Sequence, residues 1–308
     1  MPISRPAARP TGRHAALEGR VAVITGAARG VGAALARQLA DAGMRVALIG
    51  REGETLREVA SRLPQPGLCL ETDVTDREAL ARAAHHVEQE LGPASVVVAN
   101  AGIAVGGPFD RTPAELWDRV IHVNLVGSAN TARAFLPQLV QRRGYFLQIA
   151  STAAFGSAPM MSAYCASKAG AESFAQALRG ETRPDGVAVG IAYLHWTGTG
   201  MVTDIDEHPV LQALRNNQPR FARKVHTTDQ VATWLARGIA SRTAHIYAPP
   251  WLRWCQPLRP LFPALVACVT RRELAAHDRN EYGDVVDVLG PGGHADWDVY
   301  RGVTQQPR

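Results

Sequence analysis

The run Val21–Thr25 passes directly into Gly26-Ala-Ala-Arg29-Gly30-Val31-Gly32 and then into an alanine-rich amphipathic stretch. A short apolar strand that turns on glycines into a helix brings backbone N–H groups and a helix N-terminus to one point. That combination favours a phosphate or pyrophosphate. The glycines are spaced GxxxGxG, not GxGxxG. The arrangement restricts the chain to folds that open on a strand and return through a helix to a parallel neighbour.

The text that follows keeps this rhythm. Strands read at Val21–Thr25, Arg45–Ile49, Leu68–Thr72, Ser95–Ala99, Gly144–Ala150, Val187–Tyr193 and His245–Tyr247, with helical patterns near 30–42, 52–62, 76–91, 113–142, 162–182 and 227–241. The pattern predicts an α/β fold: a Rossmann-type, doubly wound, parallel seven-stranded sheet with helices on both faces. Such sheets bind ligands beyond the carboxyl ends of their strands. Residues 1–18 read as a disordered arm, 19–248 as the Rossmann domain, and 249–308 as an extension packed on or near the substrate lobe.

Composition supports a folded chain, since 46% of the 308 residues are hydrophobic and 20% charged. No apolar run reaches the ~18 residues of a membrane span, so the expectation is a soluble, cytoplasmic protein. Cys69, Cys165, Cys255 and Cys268 are too scattered for metal-ligand spacing and read as reduced thiols, with no metal implied. The net charge of +5 is modest. Arg220, Arg223, Lys224, Arg237 and Arg242 come with no helix-turn-helix signal and read as a solvated basic face, with no nucleic acid implied.

With Thr25 in front, TGxxxGxG resembles the opening of the classical short-chain dehydrogenase/reductase family. Asp73-Val74 matches the pair at the adenine ring, and Asn100-Ala101-Gly102 matches the motif closing the fourth strand. Asn124, Ser151, Tyr164 and Lys168 match the catalytic tetrad in order and spacing, and the resemblance spans residues 19 to 248. It implies a nicotinamide cofactor held by Gly26, Arg29, Gly30, Val31, Gly32, Arg51, Asp73, Val74, Asn100, Ala101, Gly102, Tyr164, Lys168, Thr197 and Thr199. Arg29 and Arg51 stand at the two basic positions of members that prefer NADP(H), while Glu52 leaves NAD(H) possible. Leu194-His195 replaces the usual Pro-Gly after the sixth strand, and His195 is a further candidate to touch cofactor or substrate.

A free tyrosine titrates at ~10, and a nearby cation favours its charged form. Tyr164 and Lys168 are four residues apart on a helical pattern, so they share one face. Tyr164 is then the general acid in carbonyl reduction or the base in alcohol oxidation. Ser151 can donate to the substrate oxygen as charge develops, and Asn124 resembles the residue that kinks its helix and binds a relay water. The competing class is a catalytically idle NADP-binding sensor or scaffold of the same fold; four intact tetrad positions favour catalysis. An extended-branch epimerase would carry TGxxGxxG, which is absent.

Ile103, Phe109, Phe155, Met160, Met161, Tyr193, Trp196 and Met201 are expected to rim the substrate cleft. Direct substrate contacts are expected from Ser151, Phe155, Met161, Tyr164 and Trp196. A mostly apolar rim suits a hydrophobic ketone or aldehyde and its alcohol. Residues 204–226 read as a mobile lid, and the resemblance implies a homodimer or homotetramer through 113–142 and 162–182. Trp251 to Trp254 and Leu258–Val269 form an apolar element in the extension. Peripheral membrane contact or internal packing would each account for it.

Overall fold

The computed structural model describes residues 17–207, 209–275 and 287–304. Most of the expected N-terminal arm, residues 1–16, lies outside the described residues. Leu17 is buried in the core. The first strand, β1 (Val21–Thr25), is followed by α1 (Gly30–Asp41), β2 (Arg45–Gly50), α2 (Gly53–Ser61), β3 (Leu68–Glu71), α3 (Arg77–Leu91) and β4 (Val96–Ala99). A short β5 (Ala104–Gly106) precedes α4 (Ala114–Ile121), a π-helical turn (His122–Val126) and α5 (Gly127–Arg142). Then come β6 (Tyr145–Ser151), α6 (Ser162–Thr182), β7 (Ala188–Leu194), α7 (Gly200–Glu207), α8 (Pro209–Asn216), α9 (Thr228–Ala240) and β8 (His245–Ala248). Two 3₁₀ turns (Pro250–Trp254 and Gln256–Leu261), α10 (Phe262–Ala275), β9 (Asp287–Leu289) and α11 (Pro291–Thr304) complete the described chain.

Seven strands form one parallel sheet in the order β3-β2-β1-β4-β6-β7-β8. Successive side chains of a strand point to opposite faces, and both faces here are covered by helices. Val21 and Val23 of β1 accordingly join the core under α3, α5 and α6, with Leu80, Val87 and Phe135. Ala22 and Ile24 join the core under α1 and α9, with Leu35, Leu39, Val231 and Leu235. The order reverses between β1 and β4, which places a crevice at their carboxyl ends.

The single helix expected over 113–142 is two helices around a π-helical turn. The turn turns the Asn124 side chain away from its helix and onto the loop after β4. The extension also folds back. β9 pairs antiparallel with β5, joining Ala104 to Leu289, so the tail crosses the ligand end of the sheet. Three-residue strands carry too little periodicity to be read from sequence.

Candidate active site

Gly26 leaves β1 at φ +63°, a conformation that L side chains rarely adopt, and a Cβ there would sit 2.7 Å from Ala101 Cα. The glycine turn and the loop after β4 are laced together across the switch point. Thr25 Oγ1 accepts from the backbone N–H groups of Asn100 and Ala101, both at 3.1 Å. The Asn100 Nδ2 group donates to the carbonyls of Thr25 and Gly26 at 2.9 and 3.0 Å. No acidic residue sits in the first turn of α1, so the positive end of its dipole is left for an anion.

These elements open onto a cavity of about 1110 Å³. Gly26, Gly30, Val31 and Gly32 line its floor, Asp73 and Val74 one end, and Asn100, Ala101 and Gly102 the wall from β4. Ser151, Tyr164, Lys168, Thr197 and Thr199 line the other end. Of the expected catalytic and cofactor-holding residues, Asn124 alone stands behind the wall. The volume suits a dinucleotide and a second molecule together.

At the Asp73 end, the two arginines expected to take a 2′-phosphate already face carboxylates. Arg29 pairs with Glu52, while its Nε is shielded from solvent with no partner among the described residues. That unpaired donor at the mouth of the glycine turn fits a phosphate oxygen. Arg51 Nη1 donates to Asp296 Oδ1 at 2.5 Å and to the Asp296 carbonyl at 3.0 Å. Arg119, 6% exposed, holds the same carboxylate through Nε and Nη2, each at 2.8 Å, and reaches Asp73 Oδ2 at 2.8 Å. Burial raises the Asp73 carboxyl, but its hydrogen bonds with Thr75 and Arg119 outweigh this and hold it below the usual carboxylate range.

At the catalytic end, Lys168 is buried and its Nζ donates to the Ile149 carbonyl at 3.2 Å, 5.7 Å from the centre of the Tyr164 ring. Burial pulls the Lys168 ammonium down to about 8. Burial also pushes the Tyr164 phenol up to about 12, against the Ser151 hydroxyl, which favours the charged form. Desolvation is the largest influence on both groups. Tyr164 is protonated at neutral pH, the state of a proton donor. Asn124, fully buried, donates to the Ile103 carbonyl and Ser167 Oγ and accepts from the Ile103 N–H, all at 2.8 to 2.9 Å. Gly102 lets it come close: a Cβ there would lie 3.2 Å from Asn124 Oδ1 and 3.3 Å from Lys168 Nζ.

The loop after β7 closes the cavity. Thr197 forms an isolated bridge with His226, and Thr199 N–H donates to the Thr197 carbonyl at 2.7 Å. His195 bonds through Nδ1 with Thr152 Oγ1 at 3.0 Å and through Nε2 with the Ala222 carbonyl at 2.8 Å. Because a carbonyl only accepts, Nε2 carries the proton and Nδ1 accepts from Thr152. Burial lowers His195 to about 4, so it is a neutral tie to the 217–222 segment rather than an acid near pH 7.

Phe155, Met161 and Trp196 line the outer cavity, as do Ile103 and Met201. Three expected rim residues do not. Phe109 is 70% exposed outside the cavity, Met160 packs within a small apolar cluster, and Tyr193 is fully buried, donating to Glu172 Oε1 at 2.8 Å. The expected lid is α7, α8 and the turn after them, and Gln218, Phe221 and Ala222 face the cavity. Sequence reading missed Arg119 and Asp296. The run Gly290-Pro-Gly-Gly293 was the available signal for the last, since it opens α11 against the cavity. Among the described residues, no group of three potential metal ligands occurs, and no helix is long and apolar enough to cross a membrane.

The fold, the glycine turn and the gathered Ser151, Tyr164 and Lys168 together define a doubly wound, nucleotide-binding type of scaffold. The family model for short chain dehydrogenases matches residues 20–209, and the chain belongs to that family. It is 33% identical over 190 residues to a short chain dehydrogenase of Pseudocercospora fijiensis, covering 60% of this chain and 62% of that protein. A probable oxidoreductase, EphD, of Mycobacterium tuberculosis is 37% identical over 171 residues, covering 54% of this chain and 29% of its own. The matched stretch thus spans less than two thirds of these two relatives. Among solved structures, a metagenomic short-chain oxidoreductase in complex with NADP is 34% identical with a TM-score of 0.56, covering 58% of this chain and 83% of that one. The apo form of LigD from Sphingobium sp. strain SYK-6, 21% identical with a TM-score of 0.66, covers 82% of this chain and 97% of its own and shares the fold.

Proposed function

We propose that this protein is an NADP(H)-dependent oxidoreductase that interconverts a hydrophobic ketone or aldehyde and its alcohol. The observation that carries the reading is the pairing of the half-buried Tyr164 with the buried Lys168, with Ser151 beside them, in a cavity whose floor is the glycine turn. Gly26, Gly30, Gly32 and Asn100 would hold a reduced nicotinamide cofactor, which would supply hydride chemistry at this end of the cavity. The protonated Tyr164 gives its proton to the carbonyl oxygen, and the Ser151 hydroxyl donates to that oxygen as charge develops. Asn124 holds the loop at Ile103 so that the wall beside Lys168 keeps its shape.

Preference for NADP(H) is supported by Arg29 and Arg51 at the Asp73 end and by the unpaired Arg29 Nε. A hydrophobic substrate is supported by Phe155, Met161 and Trp196, joined by Trp251, Phe262 and Val266 from the extension. The test follows NADPH absorbance with carbonyl compounds from small aldehydes to steroidal ketones and compact sugars, beside NADH. Turnover of bulky apolar ketones with NADPH supports the reading. A sugar turned over far better would remove the substrate class, and tighter use of NADH would remove the cofactor preference.

A further inference from the structure

Asp296 belongs to the tail helix α11, far outside the stretch that matches the family, yet its carboxylate is held by Arg51, one of the two residues expected to take a cofactor's 2′-phosphate. The geometry is complete without any ligand. Arg51 Nη1 lies 2.5 Å from Oδ1, Arg119 grips both carboxylate oxygens at 2.8 Å, and Asp296 is only 7% exposed. Arg51 Nε lies a further 3.5 Å from Asp73 Oδ2. Arg29, Arg51 and Arg119 therefore face Glu52, Asp73 and Asp296, three positive charges against three negative ones.

We propose that Asp296 is a cofactor-selecting residue, an internal carboxylate that competes with the 2′-phosphate of NADP(H) for the Arg51 guanidinium and so narrows the preference over NAD(H). The inference rests on the proposed role of Arg51. A doubly charged phosphate and a carboxylate on one guanidinium cannot both keep short, desolvated contacts without strong like-charge repulsion. NADP(H) binding must therefore displace Asp296 from Arg51, whereas NAD(H), with a hydroxyl there, leaves the contact in place. Arg119 and Asp73 remain paired in either case, which keeps the cost local.

The test uses the full chain and calorimetric titration with NADP⁺ and NAD⁺. In Asp296→Asn the ratio Kd(NAD⁺)/Kd(NADP⁺) is expected to rise at least about fivefold, with NAD⁺ affinity changed less than about twofold, while Asp296→Glu leaves the ratio near its original value. A ratio unchanged or lowered in Asp296→Asn overturns the proposal. Hydrogen exchange in the unmodified protein gives a second reading that needs no variant. Amides of residues 291–304 are expected to exchange faster with saturating NADP⁺ than with saturating NAD⁺, and equal protection overturns the proposal. Arg51→Ala separates the two levels of the argument. If it weakens NADP⁺ while sparing NAD⁺, the role of Arg51 stands and Asp296 is judged by its own results. If it leaves NADP⁺ binding unchanged, the role of Arg51 falls and the proposal falls with it.

Discussion

Replacing Asn124 by alanine should unsettle the fold and the site together, and the size of the loss follows from its bonds. The side chain is fully buried, accepts from the Ile103 N–H at 2.8 Å and donates to the Ile103 carbonyl and to Ser167 Oγ at 2.9 Å. Alanine leaves both backbone groups of Ile103 without partners in the core, and each buried unsatisfied group costs about 1–3 kcal/mol. The two groups together give about 2–6 kcal/mol and water entering the vacated volume recovers part of it, so the expected loss is about 2–4 kcal/mol. Ser167→Ala is the control. Its hydroxyl also donates to the Tyr164 carbonyl at 2.8 Å, and the backbone of Ile103 keeps Asn124, so a loss of about 1 kcal/mol is expected. Urea unfolding followed by tryptophan fluorescence measures both. An Asn124→Ala protein within 1 kcal/mol of the parent would refute the view that this residue is the structural tie between the β4 loop, the π-helical turn and α6.

Further outcomes are expected at the site and in the tail. Tyr164→Phe should abolish turnover while leaving calorimetric cofactor affinity within about twofold, because the phenol is the proton donor. Lys168 is charged below about 8 and neutral above it, so the rate of carbonyl reduction should fall as pH rises through about 8. A flat pH–rate profile from 7 to 9.5 would count against a charged Lys168 in the reaction. Arg259 reaches both oxygens of the buried Glu172 carboxylate, at 2.5 and 2.7 Å. Arg259→Met should cost about 2–3 kcal/mol, below the usual toll for breaking a buried pair because Arg259 is a quarter exposed, and should speed proteolysis near Gln256–Leu261.

The central sheet was legible because each of its strands is a compact apolar run between helical periodicities, and parallel strands buried on both faces read that way. The tetrad was legible through spacing, since Ser151, Tyr164 and Lys168 lie within one strand, one connection and one helix turn. Arg51 was legible as a candidate but not its partner, because Asp296 lies 245 residues away and no local pattern links them. Tyr193 misled for a different reason. Its place at the end of β7 suggested the rim, but alternation along the strand turns it into the core, where its ring centre lies 4.8 Å from that of Phe155 with the planes tilted by 52°. The spacing of Tyr164 and Lys168 placed them on one helix face, whereas the extent of their desolvation was not legible, because it depends on surroundings that neither residue encodes.

The tail also sets a timetable. Ala248, which closes the sheet, leaves the ribosome 48 residues before Asp296, an interval of about 2–10 s at ordinary rates of synthesis. Through that time the nascent Rossmann sheet can fold with Asp73 as the carboxylate on Arg119, presenting its glycine turn on an open shelf. The enclosing wall comes only when β9 finds β5 and α11 docks behind it. A chain stalled in between would hold a nucleotide shelf exposed to water and to competing phosphates, so the last docking step decides when the compartment becomes private.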